Sequence, residues 1–341
     1  LEQDDPTMID AGILFSLRES LLTYPTQLLI FYNEIPPVSV YARNAMVCTG
    51  ILADIIQYTK DNNSVEGARA IQTVFRCEER ITNDDLEPLL PSIVSLLSMT
   101  NEKAVYYIVI TIINILRQNH DFVSTFYDLK IHDYICNILP IQSLTRCCVY
   151  MIGNLSICER AGIAHLIRTG TVQKLLELAS TNKEVASGAF WALSNCVESS
   201  PGTVLPLIPV EFLKTTIDTY DTSEDKSTIK DCAFFLATLI LFSPHEKFHI
   251  IVSDEILSRI IKTLHSDSDP LVIRCIDALA RVLFVGITND KMKYLIQMIC
   301  SSEELSEHMN RLCAAPNSII SKKAKTMSSE IEKKKQELSA K

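Results

Sequence analysis

One apolar segment recurs along the chain at nearly constant spacing. Its clearest copy is AFWALSN at residues 189–195, and six similar segments end at residues 33, 73, 114, 154, 238 and 281. Successive copies end 40 to 43 residues apart, at Asn33, Thr73, Asn114, Asn154, Asn195, Thr238 and Arg281. Six intervals this regular indicate an internal repeat, because chance apolar runs would not keep step.

The stretches between the copies have the pattern of amphipathic helices. Residues 170–178, GTVQKLLEL, place apolar side chains three and four positions apart. A polar break at residues 180–184 then precedes the next copy, which is apolar nearly all round. A period just over 40 residues is typical of armadillo and HEAT arrays. The sequence therefore predicts an all-α fold, a right-handed armadillo (ARM/HEAT-like) superhelix of about seven to eight three-helix repeats.

The whole chain, residues 1–341, is predicted to form a single armadillo-repeat solenoid. One repeat cannot bury its own apolar face, so neighbouring repeats must share a continuous core. The predicted boundaries are roughly 1–36, 37–78, 79–119, 120–158, 159–199, 200–242 and 243–286, with a partial or capping repeat at 287–341.

Composition narrows the class of protein further. Apolar residues make up 47% of the chain and charged residues 21%, which is too apolar for disorder. The net charge of −9 disfavours nucleic-acid binding and suits basic partners. No uncharged apolar stretch approaches the length of a membrane span, so no membrane partner is expected. Eleven cysteines without a C-x-x-C motif indicate reduced thiols in a cytosolic or nuclear protein. The chain starts at Leu1 without a signal-peptide pattern, so it is expected to be a fragment of a longer protein.

Several segments resemble the importin-alpha family, the armadillo adaptors that carry nuclear localisation signals. WALSN at residues 191–195 is similar to that family's third-helix signature, and MIDAG at 8–12, followed by Leu14 and Leu17, is similar to the opening of its second helix. GNL at 153–155, IDAL at 276–279 and residues 317–332 extend the likeness over most of the chain. Asp10 matches the family's acidic residue before the second-helix glycine, whereas Cys48 and Arg168 depart from it.

The resemblance implies that Trp191 and Asn195 lie on a concave face that binds extended basic peptides. Physical chemistry supports such a pair, because residues four apart share one face of a helix. An indole ring accepts the stem and charge of a Lys or Arg side chain. An asparagine amide can both donate to and accept from a peptide backbone. The competing interpretation is structural: a lone tryptophan is usually core, and an asparagine is often a cap.

Other repeats keep only part of this pair. Tyr150 with Asn154 and Phe234 with Thr238 flank the Trp191 repeat, so three consecutive repeats each carry an aromatic residue. This run is the predicted peptide-binding groove. Asn114 and Asn33 keep the amide, but the aromatic positions of their copies are occupied by Ile110 and Leu29. Two copies have neither the aromatic residue nor the amide: their positions hold Arg69 with Thr73 and Asp277 with Arg281.

The predicted function is therefore a protein-binding adaptor for nuclear import, working in the cytoplasm and nucleus. The resemblance implies cargo with basic localisation signals, an importin-beta-like receptor and an export receptor as partners. The family's basic N-terminal segment has no match here. The basic run from Lys322 to Lys335 either contacts an acidic receptor or forms the solvated face of a capping helix. Because most copies lack the aromatic residue, the amide or both, an alternative remains, an armadillo scaffold with cytoskeletal or signalling partners.

Catalytic motifs are nearly absent. His245, Glu246 and His249 form H-E-x-x-H, the zinc-protease helix pattern, but no other histidine stands at a recognised third-ligand spacing. The segment is interpreted as the short first helix of a repeat, started by Pro244. No phosphate-binding loop and no nucleophile motif occur. The sequence predicts no enzyme, no metal and no cofactor, with a zinc hydrolase as the remaining alternative.

Overall fold

The computed structural model describes residue 18 and residues 24–34, 40–76, 80–157 and 160–339 of the chain. The sequence motif at residues 8–12 with Asp10, together with Leu14 and Leu17, lies outside these described residues. Two compact units are present, Leu1–Cys158 and Glu159–Lys341, and each is described by itself. The predicted repeat boundaries stay a prediction.

The first unit consists of helices in its described part. They are α1 (Pro25–Glu34), α2 (Val40–Cys48), α3 (Ile51–Asn62), α4 (Val65–Val74), α5 (Asn83–Leu86), α6 (Leu90–Ser95), α7 (Glu102–Gln118), α8 (Phe122–Asp128), α9 (Ile131–Ile138) and α10 (Gln142–Leu155). Short 3-10 turns at Glu87–Leu89 and Leu96–Ser98 flank α6.

The second unit is built in the same way. Its helices are α11 (Arg160–Arg168), α12 (Thr171–Thr181), α13 (Ala186–Ser199), α14 (Pro201–Val204), α15 (Val210–Thr222), α16 (Lys226–Phe242), α17 (His245–Ile251), α18 (Asp254–Thr263), α19 (Asp269–Val285), α20 (Asp290–Ser301), α21 (Glu303–Cys313) and α22 (Ser318–Ser339). A 3-10 turn, Leu205–Leu207, follows α14.

Polar caps fix where two of the 17-residue repeat helices, α7 and α16, begin. The Asn101 side chain accepts hydrogen bonds from the backbone N–H groups of Lys103 and Ala104, at 3.0 and 3.3 Å, and so starts α7. Asp225 accepts in the same way from Ser227 and Thr228 at the start of α16. Such caps satisfy the free N–H groups of a first helical turn, which sets the phase of the apolar face that follows.

The helices that carry the recurring segment form a layer in each unit, which we call the third-helix layer. In the first unit, α1 contacts α4, α4 contacts α7, and α7 contacts α10. In the second unit, α13 contacts α16, α16 contacts α19, and α19 contacts α22. One side of each layer packs against the shorter helices, so the opposite side is left for other contacts.

An aromatic cluster anchors the core of the second unit beneath its third-helix layer. The rings of Phe190, Phe212 and Phe235 lie 5.7 to 5.9 Å apart between centroids, in tilted and edge-on arrangements. All three side chains are buried. Because Phe190 and Phe235 point into this core, the adjacent Trp191 and Phe234 lie toward another side of their helices.

The described part of the chain contains helices and turns but no strand. None of its helices is long and apolar enough to cross a membrane. Nine described cysteines are free thiols, and several lie deep in the third-helix layers, including Cys148, Cys196, Cys232 and Cys275.

Candidate functional site

The seven candidate residues lie on four helices of the two third-helix layers. Asn114 lies on α7, and Tyr150 and Asn154 lie on α10 of the first unit. In the second unit Trp191 and Asn195 lie on α13, and Phe234 and Thr238 lie on α16.

Trp191 and Asn195 are both half-buried, whereas the three residues between them are fully buried. The pair is therefore at the surface of α13 and not in its core. Glu198 lies one turn beyond Asn195 on the same helix and is exposed. This face of α13 thus carries an indole ring and an amide in succession, which suit a cation with an aliphatic stem. The Glu198 carboxylate that follows them is paired with Arg274 of α19.

The next pair, Phe234 with Thr238, differs from this arrangement. Thr238 is fully buried, and its hydroxyl donates a 2.8 Å hydrogen bond to the backbone oxygen of Phe234. Its only donor is thus used within its own helix. Phe234 is half-buried, and the guanidinium of Arg274 on α19 lies over its ring, 4.8 Å from the centroid.

The candidate residues of the first unit are also unequal. Tyr150 is exposed over 37% of its surface, whereas Asn154 is only 7% exposed. The Asn154 amide donates to the backbone oxygen of Tyr150 at 2.8 Å. Asn114 is half-buried. Asn33, the amide of the α1 copy, is buried and accepts a 3.4 Å hydrogen bond from the hydroxyl of Thr73 on α4.

Arg274 is a surface residue that the repeat pattern did not single out. Its Nη2 donates to Glu198 Oε2 at 2.7 Å, joining α19 to α13 over a sequence distance of 76 residues. The same guanidinium lies 5.6 Å from the centroid of Phe242. The repeat signature consists of the aromatic and amide positions of each copy, and Arg274 is at neither position. Arg274 lies one turn before the aromatic position, which in α19 is occupied by Asp277.

Two further cations make contacts at α19, one from α22 and one on α19 itself. Lys323 of α22 forms an ion pair with Asp277. Arg281, which takes the amide position in α19, donates to the backbone oxygen of Ser243 and lies over the ring of Phe248. Burial lowers the pKa of Arg281. Both departures from the Trp/Asn pattern in α19 therefore have roles within the second unit.

A half-buried carboxyl group, that of Asp231, lies between α13 and α16. The Ser187 hydroxyl donates to Asp231 Oδ2 at 2.5 Å. Burial raises the pKa of Asp231 to about 6, although the hydrogen bond from Ser187 opposes this shift. Ionisation of a carboxyl group in this position is unfavourable, because the charged form is poorly hydrated.

The H-E-x-x-H segment falls on α17, a helix of seven residues that starts directly after Pro244. Glu246 and His249 are exposed. Within the described residues, no three His, Cys, Asp or Glu side chains come together as a metal-binding group.

Comparison with known proteins yields matches by structure only. No protein-family model matches the sequence, and no curated protein matches it. An engineered protein of known structure superposes with a TM-score of 0.76 at 18% identity, over 95% of this chain and 79% of its own. A designed armadillo repeat protein in complex with the peptide (KR)4 gives a TM-score of 0.56 at 18% identity, over 71% of this chain and 99% of its own.

Computationally designed armadillo repeat proteins for modular peptide recognition match similarly. Their TM-score is 0.56 at 17% identity, over 71% of this chain and 99% of their own. Identities this low reveal the fold alone. The predicted fold class, an all-α armadillo-repeat architecture, is confirmed.

Proposed function

We propose that this chain binds extended segments of other proteins, and that it recognises basic, nuclear-localisation-signal-like segments on the face of α13. The observation that carries the proposal is the pair Trp191 and Asn195, half-buried on one helix face with the exposed Glu198 one turn further on. The ring supports an aliphatic stem and its cation, and the amide can bond a peptide unit.

Two further facts support a basic ligand. The chain carries a net charge of −9, which favours the approach of a basic peptide. A designed armadillo protein of similar fold has been solved with the peptide (KR)4, an alternating basic sequence. We extend the proposal to nuclear import, with localisation-signal cargo, importin-beta-like and export receptors, and residence in cytoplasm and nucleus. That extension is supported by the sequence resemblance.

The test uses the chain's single tryptophan as its own reporter. Trp191 is the only tryptophan, so a peptide that covers it changes the intrinsic fluorescence directly. Titration with (Lys-Arg)4 at two salt concentrations is expected to give micromolar or tighter binding that weakens at high salt, because the attraction between charges is screened. An uncharged glutamine peptide of the same number of residues is the control and should not bind.

Variants locate the site. Asn195→Ala keeps the reporter and is expected to weaken binding about fivefold, the usual value of one hydrogen bond. Trp191→Ala, measured with a labelled peptide, should weaken it more. Asn310→Ala, an exposed asparagine on α21, is the matched control and should bind as the parent does. Equal affinities of parent, Asn195→Ala and Trp191→Ala would contradict the site.

A second candidate function rests on a specific observation. Only one of the sequence pairs, Trp191 with Asn195, combines a tryptophan with the amide, since the other copies lack one or both. This favours an armadillo scaffold with cytoskeletal or signalling partners, which would show no affinity for (Lys-Arg)4. Capture of partners from cell extract, compared between parent and Trp191→Ala, separates the two functions by whether nuclear cargo is retained.

A further inference from the structure

The Arg274 guanidinium lies over the ring of Phe234, the third aromatic residue of the predicted groove. Its side chain extends from α19 and is only 17% exposed. The guanidinium carbon lies 4.8 Å from the ring centroid of Phe234 and 5.6 Å from that of Phe242. Its Nη2 reaches further, to the carboxylate of Glu198 on α13, at 2.7 Å. One arginine thus bridges three successive helices of the layer.

A bound basic peptide would make the same two kinds of contact, with the aromatic ring and with the carboxylate. A cation over an aromatic face, with a carboxylate at its far end, is the recognition mode expected of an arginine side chain in such a groove. Here the chain supplies the arginine itself. A ligand's Lys or Arg cannot occupy the same ring face without displacing Arg274, and displacement would leave the carboxylate and the guanidinium to find new partners.

The next step along the layer shows the same feature. Asp277 takes the aromatic position of α19, and it is paired with Lys323 from α22. Beyond α13, therefore, two successive positions that could attract a basic ligand already hold cations of the chain. The Phe234 ring of α16 and the Asp277 carboxylate of α19 are each contacted by a cation of the second unit itself.

We propose that Arg274 determines specificity by occupying the Phe234 position, so that a basic side chain of the ligand is accepted at Trp191 but excluded from Phe234. The inference rests on the proposed function, since it concerns which part of the same surface binds the peptide. Arg274 also holds Glu198, and so lowers the negative charge available beside Asn195.

The experiment compares (Lys-Arg)4 binding to the parent, Arg274→Ala and Arg274→Gln. Removing the guanidinium opens the Phe234 ring and releases Glu198, so binding should tighten by about threefold or more. Arg274→Gln keeps much of the stem and serves if the alanine variant folds poorly. Lys262→Ala, an exposed lysine on α18, is the control for the loss of one positive charge.

A double-mutant cycle with Phe234→Ala gives the sharper result. In the parent, Phe234→Ala should leave peptide affinity nearly unchanged, because the ring is not offered to the ligand. In the Arg274→Ala background, the same change should remove the part of the gain that the ring provides and leave only the part that comes from the release of Glu198. The inference is overturned if Arg274→Ala binds no more tightly than Lys262→Ala, or if the whole gain survives loss of the ring.

The outcomes also separate this inference from the proposed function. Binding by the parent with no gain in the Arg274 variants overturns the inference and leaves the function standing. Binding only after Arg274 is replaced overturns both the proposed function and the inference as stated, because the parent then accepts no basic side chain at Trp191. No binding by any variant overturns the function and the inference with it.

Discussion

A Cβ atom added to Gly67 on α4 would lie 2.1 Å from Oγ1 of Thr59, near the end of α3. Thr59 is fully buried, and its hydroxyl donates to the backbone oxygen of Ile55 at 2.6 Å. Its short side chain therefore has little room to move. The glycine is what allows the second and third helices of this repeat to approach so closely.

Gly67→Ala is accordingly expected to destabilise the protein by about 1–3 kcal/mol, the usual cost of overpacking. Helix propensity alone would favour alanine by about 1 kcal/mol, so the sign of the result tests which effect wins. Gly202→Ala is the matched control, since no heavy atom lies within 4 Å of its added Cβ. Unfolding in urea followed by circular dichroism measures both changes. A stable Gly67→Ala variant would show that the Thr59 side chain can move to make room for the added methyl group.

Periodicity was sufficient to predict the fold class and the helices that carry the repeats. The residues that end the seven copies, from Asn33 to Arg281, all lie on helices of the two third-helix layers. The hydrogen bond between Thr73 and Asn33 joins equivalent positions one period apart, at a sequence separation of 40. Equal spacing in sequence becomes contact in space because each repeat packs on the next.

The same spacing could not predict which side chains face outward. Asn154 and Asn195 hold equivalent positions, yet Asn154 is buried and Asn195 is half-buried. The apolar pattern of the sequence does not resolve this difference in exposure. The contact of Arg274 with Glu198 was also beyond reach, because it joins repeats that are not adjacent in sequence and has no counterpart in the other copies.

The Asp231 carboxyl makes stability depend on pH in a definite direction. Its pKa in the folded chain is raised to about 6 by burial, above its value of 3.8 in the unfolded chain. The folded protein therefore holds this proton more tightly, and the contribution of Asp231 is most favourable below pH 4. That contribution is lost as the pH rises through 6, where the carboxylate is ionised without full hydration.

Asp231→Asn should remove this penalty while its side-chain oxygen still accepts from Ser187. We expect stability equal to the parent near pH 4 and higher by about 1–2 kcal/mol at pH 7, a value that allows for partial solvent screening. Urea unfolding at both pH values measures the difference. Ser187→Ala is the companion variant: it removes the hydrogen bond that favours the carboxylate, so it should enlarge the loss at pH 7. A constant difference across pH would count against the assignment.

The aromatic cluster beneath α13 and α16 should dominate the stability of the second unit. Phe235 is fully buried against Phe190 and Phe212, with centroids 5.7 and 5.8 Å away. Phe235→Ala removes a ring from a packed core and should cost about 3–5 kcal/mol. Phe284→Ala makes the same chemical change at a side chain that is 69% exposed, and it should cost less than about 0.5 kcal/mol. Thermal unfolding of the two variants beside the parent gives the comparison.

The two equivalent asparagines should differ in their effect on peptide binding. Asn154 is only 7% exposed, so little of its amide is accessible to a ligand. Asn195 is half-buried beside Trp191. Asn154→Ala should therefore weaken (Lys-Arg)4 binding by less than about twofold, against about fivefold for Asn195→Ala. Fluorescence titration of Trp191 reads both variants. Equal losses would mean that the α10 helix presents its amide to the peptide as fully as α13 does.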